Sequence, residues 1–184
     1  ILSKLEEYVK TGTLAALEKE RANPANILAE IYGVGPKKAK ELVTAGINSI
    51  EELRKQPELL NDKQKIGLEY FEDIQKRIPR DEIVEFDKLF EEIFKSAAPP
   101  GSKFEIVGSY RRGAKNSGDI DIIITNKDNN KAAFDKVLDV LVKDKIITEV
   151  LSRGKTKSLT LVQIKKDGPI RRVDFLYSSP DEYA

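Results

Sequence analysis

The stretch from residue 104 to residue 124 restricts the possible folds of this chain more than any other segment. Its parts are, in order, the strand-like run 104–107, the pair Gly108-Ser109, two arginines, and the string Gly-Asp-Ile-Asp at 118–121, which three isoleucines follow. Because side chains alternate between the two faces of a strand, Asp119 and Asp121 are predicted to point the same way. The isoleucines are typical of a buried strand, in which an unpaired carboxylate is costly.

Two carboxylates on one face of a strand repel each other unless a cation lies between them. Mg²⁺ is the natural candidate, because it takes oxygen ligands and often bridges protein carboxylates to substrate phosphates. The Gly-Ser turn and the arginines offer backbone N–H groups, a hydroxyl and positive charge, which together suit a polyphosphate. The alternative interpretation is an exposed Asp-x-Asp on a solvated sheet edge, with the arginines as ordinary surface charge.

A third carboxylate is predicted to complete a site for two metal ions. Residues 171–177 form a second strand-like run, with Asp174 in its apolar half. If this run pairs beside the strand at 119–124, Asp174 can face the same cluster. Two metal ions can then hold the attacking and leaving oxygens of an in-line phosphoryl displacement. An Asp174 that merely pairs with Arg171 or Arg172 at a strand end is the alternative for this segment.

Composition narrows the chemistry. The chain has 184 residues, 34% of them charged, with a net charge of +1 and neither cysteine nor histidine. The length suits one large or two small domains. Disulfides, zinc–thiolate sites and Ser–His or Cys–His catalysis are therefore excluded, and any catalysis must rely on carboxylates, metals and cations. No apolar run approaches membrane-spanning length and no secretion signal is visible, so we expect no membrane partner and an intracellular location.

The sequence pattern divides the chain near residue 80. Residues 1–95 are almost entirely helical in pattern, whereas residues 103–177 alternate strands with one helix. A helix over 81–97 has apolar residues at helical spacing and is predicted to pack on the sheet of the second part. The predicted fold class is α+β: a helical domain followed by a mixed β-sheet flanked by helices.

Residues 31–40 resemble a helix-hairpin-helix motif, with a Gly-x-Gly turn between two helices and Pro36 in the first turn of the second helix. The glycines allow close approach of a phosphate, and N–H groups at the helix start can hold it. Such contacts to the DNA backbone do not read sequence. An ordinary helix–turn–helix packing unit is the alternative. The predicted DNA-binding residues of this segment are Gly33, Gly35, Lys37, Lys38 and Lys40.

The pair Gly108-Ser109 followed by 118–121 resembles the nucleotidyltransferase signature. The fuller string 108–121 is similar to that of the family X DNA polymerases, and residues 151–157 and the Arg-Arg-Val-Asp run resemble the polymerase beta branch. The resemblance runs along nearly the whole chain. It implies the nucleotidyltransferase palm of a monomeric, beta-like repair polymerase that acts on dNTP and on gapped or nicked duplex DNA. Short-gap filling in base excision repair is implied, in the nucleus if the source is eukaryotic.

The resemblance also implies roles for single residues. Asp119 and Asp121 would bind both Mg²⁺ ions, for which Mn²⁺ can substitute, and Asp174 would bind the catalytic ion and help to deprotonate the primer 3′-hydroxyl. Arg172 would orient Asp174 and approach the primer phosphate, and Lys157 would contact the template strand. The implied nucleotide-binding residues are Gly108, Ser109, Arg112, Gly118 and, at a greater distance, Arg77. Main-chain carbonyls of Ala29, Ile31 and Val34 would hold a monovalent cation such as K⁺ or Na⁺.

By the same resemblance, residues 1–22 are a remnant of the lyase-domain helix and linker, 23–80 the helix-hairpin-helix domain, and 81–184 the palm. Lys4 occupies the position of the lyase lysine, but without the rest of that domain we expect an ordinary solvated lysine. We expect a piece of a longer chain that lacks the subdomain closing over the incoming base. Gap filling by these residues alone is then expected to be very weak or absent.

Two other functions stay open at this point. One is a duplex DNA-binding fragment that is catalytically idle. The other is a different nucleotidyltransferase of the same fold, which modifies RNA or a small molecule. Primer extension by this chain tests the first. The helix-hairpin-helix pattern argues against the second, and a comparison of duplex DNA and RNA binding tests it.

Overall fold

The structure, a computed structural model, describes residues 2–183. Contacts divide the chain into two compact units between Phe71 and Glu72. The predicted boundary near residue 80 falls later, inside the second unit. The reason is that residues 72–79 are held by distant parts of that unit: the Asp73 carboxylate accepts the N–H of Ile170 at 3.0 Å, and Ile78 pairs with Ser117.

The first unit is helical, as the sequence pattern predicts. Its helices are α1 Leu2–Thr11, α2 Ala15–Arg21, α3 Pro24–Ala29, α4 Pro36–Thr44, α5 Ile50–Arg54 and α6 Asp62–Glu69, with a short 3₁₀ turn at Pro57–Leu59; α7, Phe71–Gln75, spans the division. Its core residues are Leu28, Ile31, Val34, Ala39, Leu42, Ile47, Ile50, Leu53, Leu60 and Leu68. Among the described residues, α1 and α2 bury none, so the core begins at α3.

The second unit is built on a five-stranded mixed sheet. The strands of this unit are β1 Ile78–Pro79, β2 Ser102–Ile106, β3 Asn116–Ser117, β4 Ile120–Asn126, β5 Ile147–Arg153, β6 Lys157–Gln163 and β7 Ile170–Tyr177. The helices of this unit are α8 Arg80–Ala97, α9 Gly108–Arg111, α10 Ala132–Lys143 and α11 Pro180–Tyr183. The strand order is β2-β4-β7-β6-β5, with β1 and β3 paired separately. Within residues 2–183, only β4 and β7 run parallel, and every other pairing is antiparallel. The predicted α+β class with a mixed sheet is confirmed.

Helices α8 and α10 cover one face of the sheet. The predicted helix over 81–97 is present and begins one residue earlier, at Arg80. The ring of Phe90 lies in the core between these helices and the sheet, with its centroid 4.7 Å from that of the Phe104 ring and 5.7 Å from that of the Phe175 ring. Alternate residues of β4 and β7 join this core. The residues between them, including Asp121, therefore point to the opposite face of the sheet.

A buried ion pair joins β7 to the start of α8. The guanidinium of Arg171 donates to both carboxylate oxygens of Glu82 at 2.8 Å, and the two side chains are only 5% and 7% exposed. Arg171 also donates to the carbonyl oxygens of Lys76 and Arg77 at 3.4 and 3.3 Å. Its charge is therefore used inside the fold, and Arg171 is not the partner of Asp174.

A candidate metal centre and a candidate phosphate-binding hairpin

Three carboxylates meet where β4 and β7 lie side by side. The parallel register places Asp121 opposite Asp174, and Asp119 immediately precedes β4. One carboxylate oxygen from each residue lies within 4.8 Å of the other two. The structure thus brings together the three residues that the sequence predicts to cluster, and their assignment as metal ligands stays a prediction.

The cluster concentrates negative charge in a half-buried position. Burial, together with repulsion from Asp119, raises the pKa of Asp121, although Arg172 and Lys157 act in the opposite direction. Burial also raises the pKa of Asp174, and the positive charge of Arg172 only partly offsets this. The ionised cluster is therefore costly by itself, and a bound cation would remove that cost.

One oxygen of the cluster is ready to accept a ligand. The Nη2 atom of Arg172 lies 3.6 Å from Asp119 Oδ2 and 3.4 Å from Asp174 Oδ2. The other oxygen, Asp174 Oδ1, is buried and accepts no hydrogen bond from any residue in 2–183. Buried polar atoms without a partner are rare in native folds. Three hard oxygen donors, one of them unsatisfied, fit a divalent cation such as Mg²⁺.

Gly108 is needed beside this cluster for a steric reason. Its φ of +64° lies in the left-handed region, and a Cβ atom there would collide with Oδ2 of Asp121. The sequence assigns Gly108 to the nucleotide phosphates. Its position against Asp121 is a further requirement that sequence reasoning missed.

The loop between β2 and β4 brings the predicted phosphate-binding residues close to one another. The Ser109 hydroxyl donates to the hydroxyl of Ser117 at 2.7 Å. The guanidinium of Arg77 donates to the side chain and the carbonyl of Asn116 at 2.8 and 3.1 Å. A Cβ atom added at Gly118 would lie 3.2 Å from Arg77 Nη1, so Arg77 also lies close to the backbone of Gly118.

Two further predicted residues act on the cluster through their charge. Arg112 follows α9 and is exposed, and its charge lowers the pKa of Asp121, although less than burial raises it. Lys157 begins β6 and lines the same small cavity as Asp121 and Asp174. Both lie near the carboxylates, whereas their predicted contacts with phosphate and template DNA stay predictions.

The turn between α3 and α4 carries the glycines of the predicted phosphate-binding hairpin. Gly33 has a φ of +83°, whereas Gly35 has an ordinary φ of −81° and caps α4, whose first residue is Pro36. Gly33 is therefore the position that requires glycine. Within residues 2–183 the backbone N–H groups of Lys37 and Lys38, at the start of α4, donate no hydrogen bond. These donors are free to hold an anion.

Helix α6 fixes this turn through two residues that sequence reasoning did not select. The side-chain amide of Gln64 donates to the carbonyl oxygen of Gly33 at 2.9 Å, and Gln64 also completes a capping box with Asn61. A Cβ atom at Gly67 would collide with the carbonyl oxygen of Tyr32. A glycine inside a helical pattern can indicate close approach of another backbone segment. The sequence therefore contained a signal for Gly67, which lies inside α6.

The remaining predicted residues lie in the first unit. Ala29 ends α3, Ile31 and Val34 lie in the turn, and the carbonyl of Ile31 accepts the N–H of Val34 at 2.9 Å. Main-chain carbonyls in a turn are the ligand type that alkali cations accept, so the predicted monovalent ion fits the ligand chemistry. Lys40 is exposed on α4, and Lys4 is exposed on α1, outside the core of this unit.

Replacing Asp121 with asparagine is expected to make the metal-free protein more stable by about 1 kcal/mol, the repulsion of two charges roughly 4 Å apart in water. The substitution removes one of three clustered negative charges and keeps the shape of the side chain. Urea unfolding in EDTA measures the gain. In saturating Mg²⁺ the order should reverse, because only the unaltered cluster binds the ion. A less stable variant in EDTA would contradict the repulsion.

The pH dependence of this gain has a definite sign. Since the folded-state pKa of Asp121 is raised, the unaltered protein loses stability as pH rises from the unfolded-state pKa through the folded-state pKa. The advantage of the Asp121→Asn variant in EDTA should therefore be absent at pH values where aspartate is protonated in both states, and largest at neutral pH. The same unfolding series at several pH values checks this.

Known proteins match both units. Residues 77–180 match the family model DNA polymerase beta palm, and residues 26–75 match the model Fingers domain of DNA polymerase lambda. DNA polymerase lambda of Arabidopsis thaliana is 38% identical over 128 residues, which are 67% of this chain and 24% of that protein. DNA polymerase lambda of Rattus norvegicus is 30% identical over 152 residues, 80% of this chain and 26% of that protein.

DNA-directed DNA/RNA polymerase mu of Homo sapiens is 28% identical over 133 residues, which are 70% of this chain and 27% of that protein. The chain spans about a quarter of the length of these relatives. Among residues 2–183 no helix is long and apolar enough to cross a membrane.

The palm match covers more than half of the 184 residues and contains the three carboxylates together with the loop before them. As its motifs predict, the chain belongs to the family X DNA polymerases.

Proposed function

We propose that this chain carries the metal centre, the triphosphate-binding loop and a duplex-binding hairpin of a beta-like DNA repair polymerase. The reaction is transfer of a nucleotidyl group from a dNTP to a primer 3′-hydroxyl, in short-gap filling during base excision repair. The observation that carries the proposal is the convergence of Asp119, Asp121 and Asp174 within 4.8 Å on adjacent strands. The names of the polymerase lambda and mu relatives support it.

In this proposal the carboxylates divide the work. Asp119 and Asp121 hold both Mg²⁺ ions, and Asp174 holds the ion at the primer end. When bound, Mg²⁺ would supply Lewis-acid chemistry for the primer hydroxyl and for the charge of the leaving pyrophosphate. Asp174 also helps to accept the hydroxyl proton. Arg172, 3.4 Å from Asp174 Oδ2, keeps the carboxylate oriented and approaches the primer phosphate.

The loop before β4 receives the β- and γ-phosphates. Ser109 offers its hydroxyl, Gly118 its backbone N–H, and Arg112 and the more distant Arg77 their charge. A hydroxyl donates one hydrogen bond and accepts others, so the Ser109–Ser117 bond of 2.7 Å can reverse when Ser109 turns its proton to a phosphate. Ser117 therefore lets Ser109 change partner without leaving a buried hydroxyl unsatisfied.

Duplex DNA binds through its backbone. The unpaired N–H groups of Lys37 and Lys38 meet a phosphate, and the side chains of these lysines and of Lys40 add charge. A monovalent cation at the carbonyls of Ala29, Ile31 and Val34 adds a further positive charge. Because none of these groups faces a base edge in such a contact, binding is independent of sequence. Lys157 contacts the template strand.

The proposal is tested by binding measurements on the unaltered chain. We expect Mg²⁺-dependent binding of dNTP. We also expect binding of gapped duplexes whose affinity falls with salt and is equal for two unrelated sequences. Changing both Lys37 and Lys38 to glutamine should reduce the log–log salt slope by about 2, one for each lost phosphate contact. Lys143→Gln is the control, because Lys143 ends α10, which packs on the sheet face opposite the carboxylates.

Each alternative function has its own outcome when binding of duplex RNA is measured beside binding of dNTP and gapped DNA. Binding of gapped DNA without any Mg²⁺-dependent dNTP binding would favour the catalytically idle DNA-binding protein. Binding of dNTP together with a preference for duplex RNA, or for neither duplex, would favour a nucleotidyltransferase that acts on RNA or on a small molecule. Either result would overturn the DNA polymerase proposal.

A further inference from the structure

The loop between β2 and β4 carries most of the residues proposed to hold phosphates, and the backbone hydrogen bonds of its short helix are long. Its helix, α9, has only four residues. The N–H of Arg111 reaches the carbonyl oxygen of Val107 at 3.5 Å, and that of Arg112 reaches Gly108 at 3.4 Å. Ordinary N–H···O bonds measure about 2.7–3.2 Å. Shorter bonds close the turn that follows, from the N–H of Gly113 to Tyr110 at 3.0 Å and from the N–H of Ala114 to Ser109 at 3.1 Å. The helix itself is therefore supported by this turn and by contacts from outside the loop.

Arg80 supplies such contacts. Its Nη1 atom donates to the carbonyl oxygens of Tyr110 and Ala114 at 2.8 and 3.3 Å. Its guanidinium carbon lies 4.2 Å from the centroid of the Tyr110 ring, a cation–π distance. Its backbone N–H donates to the carbonyl oxygen of Lys115 at 3.0 Å. A single residue thus holds the loop at 110, 114 and 115.

These contacts reach the predicted phosphate ligands through one further bond. The N–H of Ala114, a residue held by Arg80, donates to the carbonyl oxygen of Ser109 at 3.1 Å. Arg112 lies between Tyr110 and Ala114, the two residues whose carbonyl oxygens accept hydrogen bonds from Arg80. The Arg80 side chain thus contacts the segment that carries both predicted phosphate ligands, in addition to the Ser109–Ser117 bond and the pairing of β1 with β3.

The choice of arginine at position 80 has no explanation within its own helix. Arg80 is the first residue of the 18-residue helix α8, where the helix dipole disfavours a positive charge. Among residues 2–183 it forms no ion pair with a carboxylate. The guanidinium group is planar and has several N–H donors, so it can bind two carbonyl oxygens and stack on an aromatic ring at the same time.

We propose that Arg80 is a positioning residue, which fixes the α9 loop in the conformation that presents Ser109 and Arg112 to the phosphates of a nucleoside triphosphate. The inference rests on the proposed function. The contacts of Arg80 within residues 2–183 go to Tyr110, Ala114 and Lys115, and none goes to the carboxylate cluster. Its loss should therefore weaken triphosphate binding and leave the affinity of the carboxylates for a divalent ion unchanged.

The test compares the unaltered chain with Arg80→Ala, Arg80→Lys and the control Lys88→Ala, which removes the same charge from an exposed position on the same helix. For each protein we measure affinity for Mg²⁺-dNTP, affinity for Mn²⁺ alone, and hydrogen exchange of residues 108–118. Arg80→Ala should weaken Mg²⁺-dNTP binding about tenfold, the loss typical of one charge-assisted hydrogen bond. Exchange in the loop should accelerate, and Mn²⁺ affinity should stay the same.

The lysine variant separates geometry from charge. Lysine keeps the positive charge but lacks the fork that reaches two carbonyls, so Arg80→Lys should behave like Arg80→Ala. Full recovery of Mg²⁺-dNTP binding in Arg80→Lys would overturn the proposal, because charge alone would then suffice. So would unchanged exchange in Arg80→Ala, or a loss in Lys88→Ala as large as in Arg80→Ala.

Failure of the inference differs from failure of the proposed function. If the unaltered chain binds Mg²⁺-dNTP and Arg80→Ala binds it equally well, only the positioning role falls. If the unaltered chain does not bind Mg²⁺-dNTP at all, both fall, because the loop then presents nothing to a triphosphate.

Discussion

Replacing Glu82 with alanine is expected to destabilise the second unit by about 3–5 kcal/mol, the usual cost of removing one partner from a buried ion pair. Glu82 accepts two hydrogen bonds of 2.8 Å from Arg171, and neither side chain is more than 7% exposed. The alanine variant leaves the Arg171 charge buried with only two long bonds to carbonyl oxygens. Urea unfolding followed by circular dichroism measures the loss.

Glu85→Ala is the matched control for this substitution. Glu85 lies on the same helix and pairs with Lys165 at 3.3 Å, but its side chain is 55% exposed. An exposed pair contributes about 0–1 kcal/mol, so Glu85→Ala should unfold almost like the unaltered protein. Equal losses in Glu82→Ala and Glu85→Ala would mean that the buried pair does not hold β7 to α8.

Replacing Gly108 with alanine is expected to weaken divalent-ion binding at the carboxylate cluster by at least about tenfold, since small displacements of a positioned group have large effects. The new Cβ atom would collide with Oδ2 of Asp121 and displace that carboxylate from Asp119 and Asp174. The φ of +64° adds strain of roughly 1–2 kcal/mol for any residue other than glycine. Mn²⁺ titration and urea unfolding measure the two effects.

Gly113 offers a control that separates backbone strain from the collision. It lies in the same loop with a φ of +83°, but a Cβ atom there would meet nothing within 4 Å. Gly113→Ala should therefore lose similar stability and keep its Mn²⁺ affinity. If Gly108→Ala binds Mn²⁺ as tightly as Gly113→Ala does, the close approach of Gly108 to Asp121 has no part in the metal centre.

Local sequence pattern predicted the Asp119–Asp121 pair, whereas the meeting of this pair with Asp174 was conditional on strand pairing. The alternation of apolar and acidic residues in β4 places Asp119 and Asp121 on one face, and the apolar half of 171–177 marked the strand that carries Asp174. Periodicity also predicted the helix over 81–97 to within one residue of its start. These features depend on residues that are close in sequence, which is where pattern reasoning is strongest.

The contacts that hold the site in place could not be predicted in this way. The Arg171–Glu82 pair joins residues 89 positions apart, and the bonds from Arg80 to the loop span 30 and 34 positions. Gly108 reads as a phosphate-binding turn residue, and only the three-dimensional structure places it against Asp121. Pairings of this kind depend on which elements pack together, and a single sequence does not contain that information.

The division between the units illustrates the same limit. The pattern break at 77–80 suggested a boundary near residue 80, because Pro79 interrupts the helical periodicity. In the structure, Asp73 and Ile78 already belong to the second unit, through Ile170 and Ser117. The segment before Pro79 thus belongs to the second unit because of its contacts with residues that are distant in sequence, which its own composition does not indicate.

Mn²⁺ titration of the unaltered chain and its Asp174→Asn variant, followed by electron paramagnetic resonance, tests the metal centre most directly. The unaltered chain should bind Mn²⁺, and Asp174→Asn should bind it at least about tenfold more weakly, because it lacks one of three charged oxygen ligands. Asp81→Asn, an exposed aspartate at the start of α8, is the control and should bind normally. Equal Mn²⁺ binding by Asp174→Asn and the unaltered chain would contradict a metal centre shared by β4 and β7.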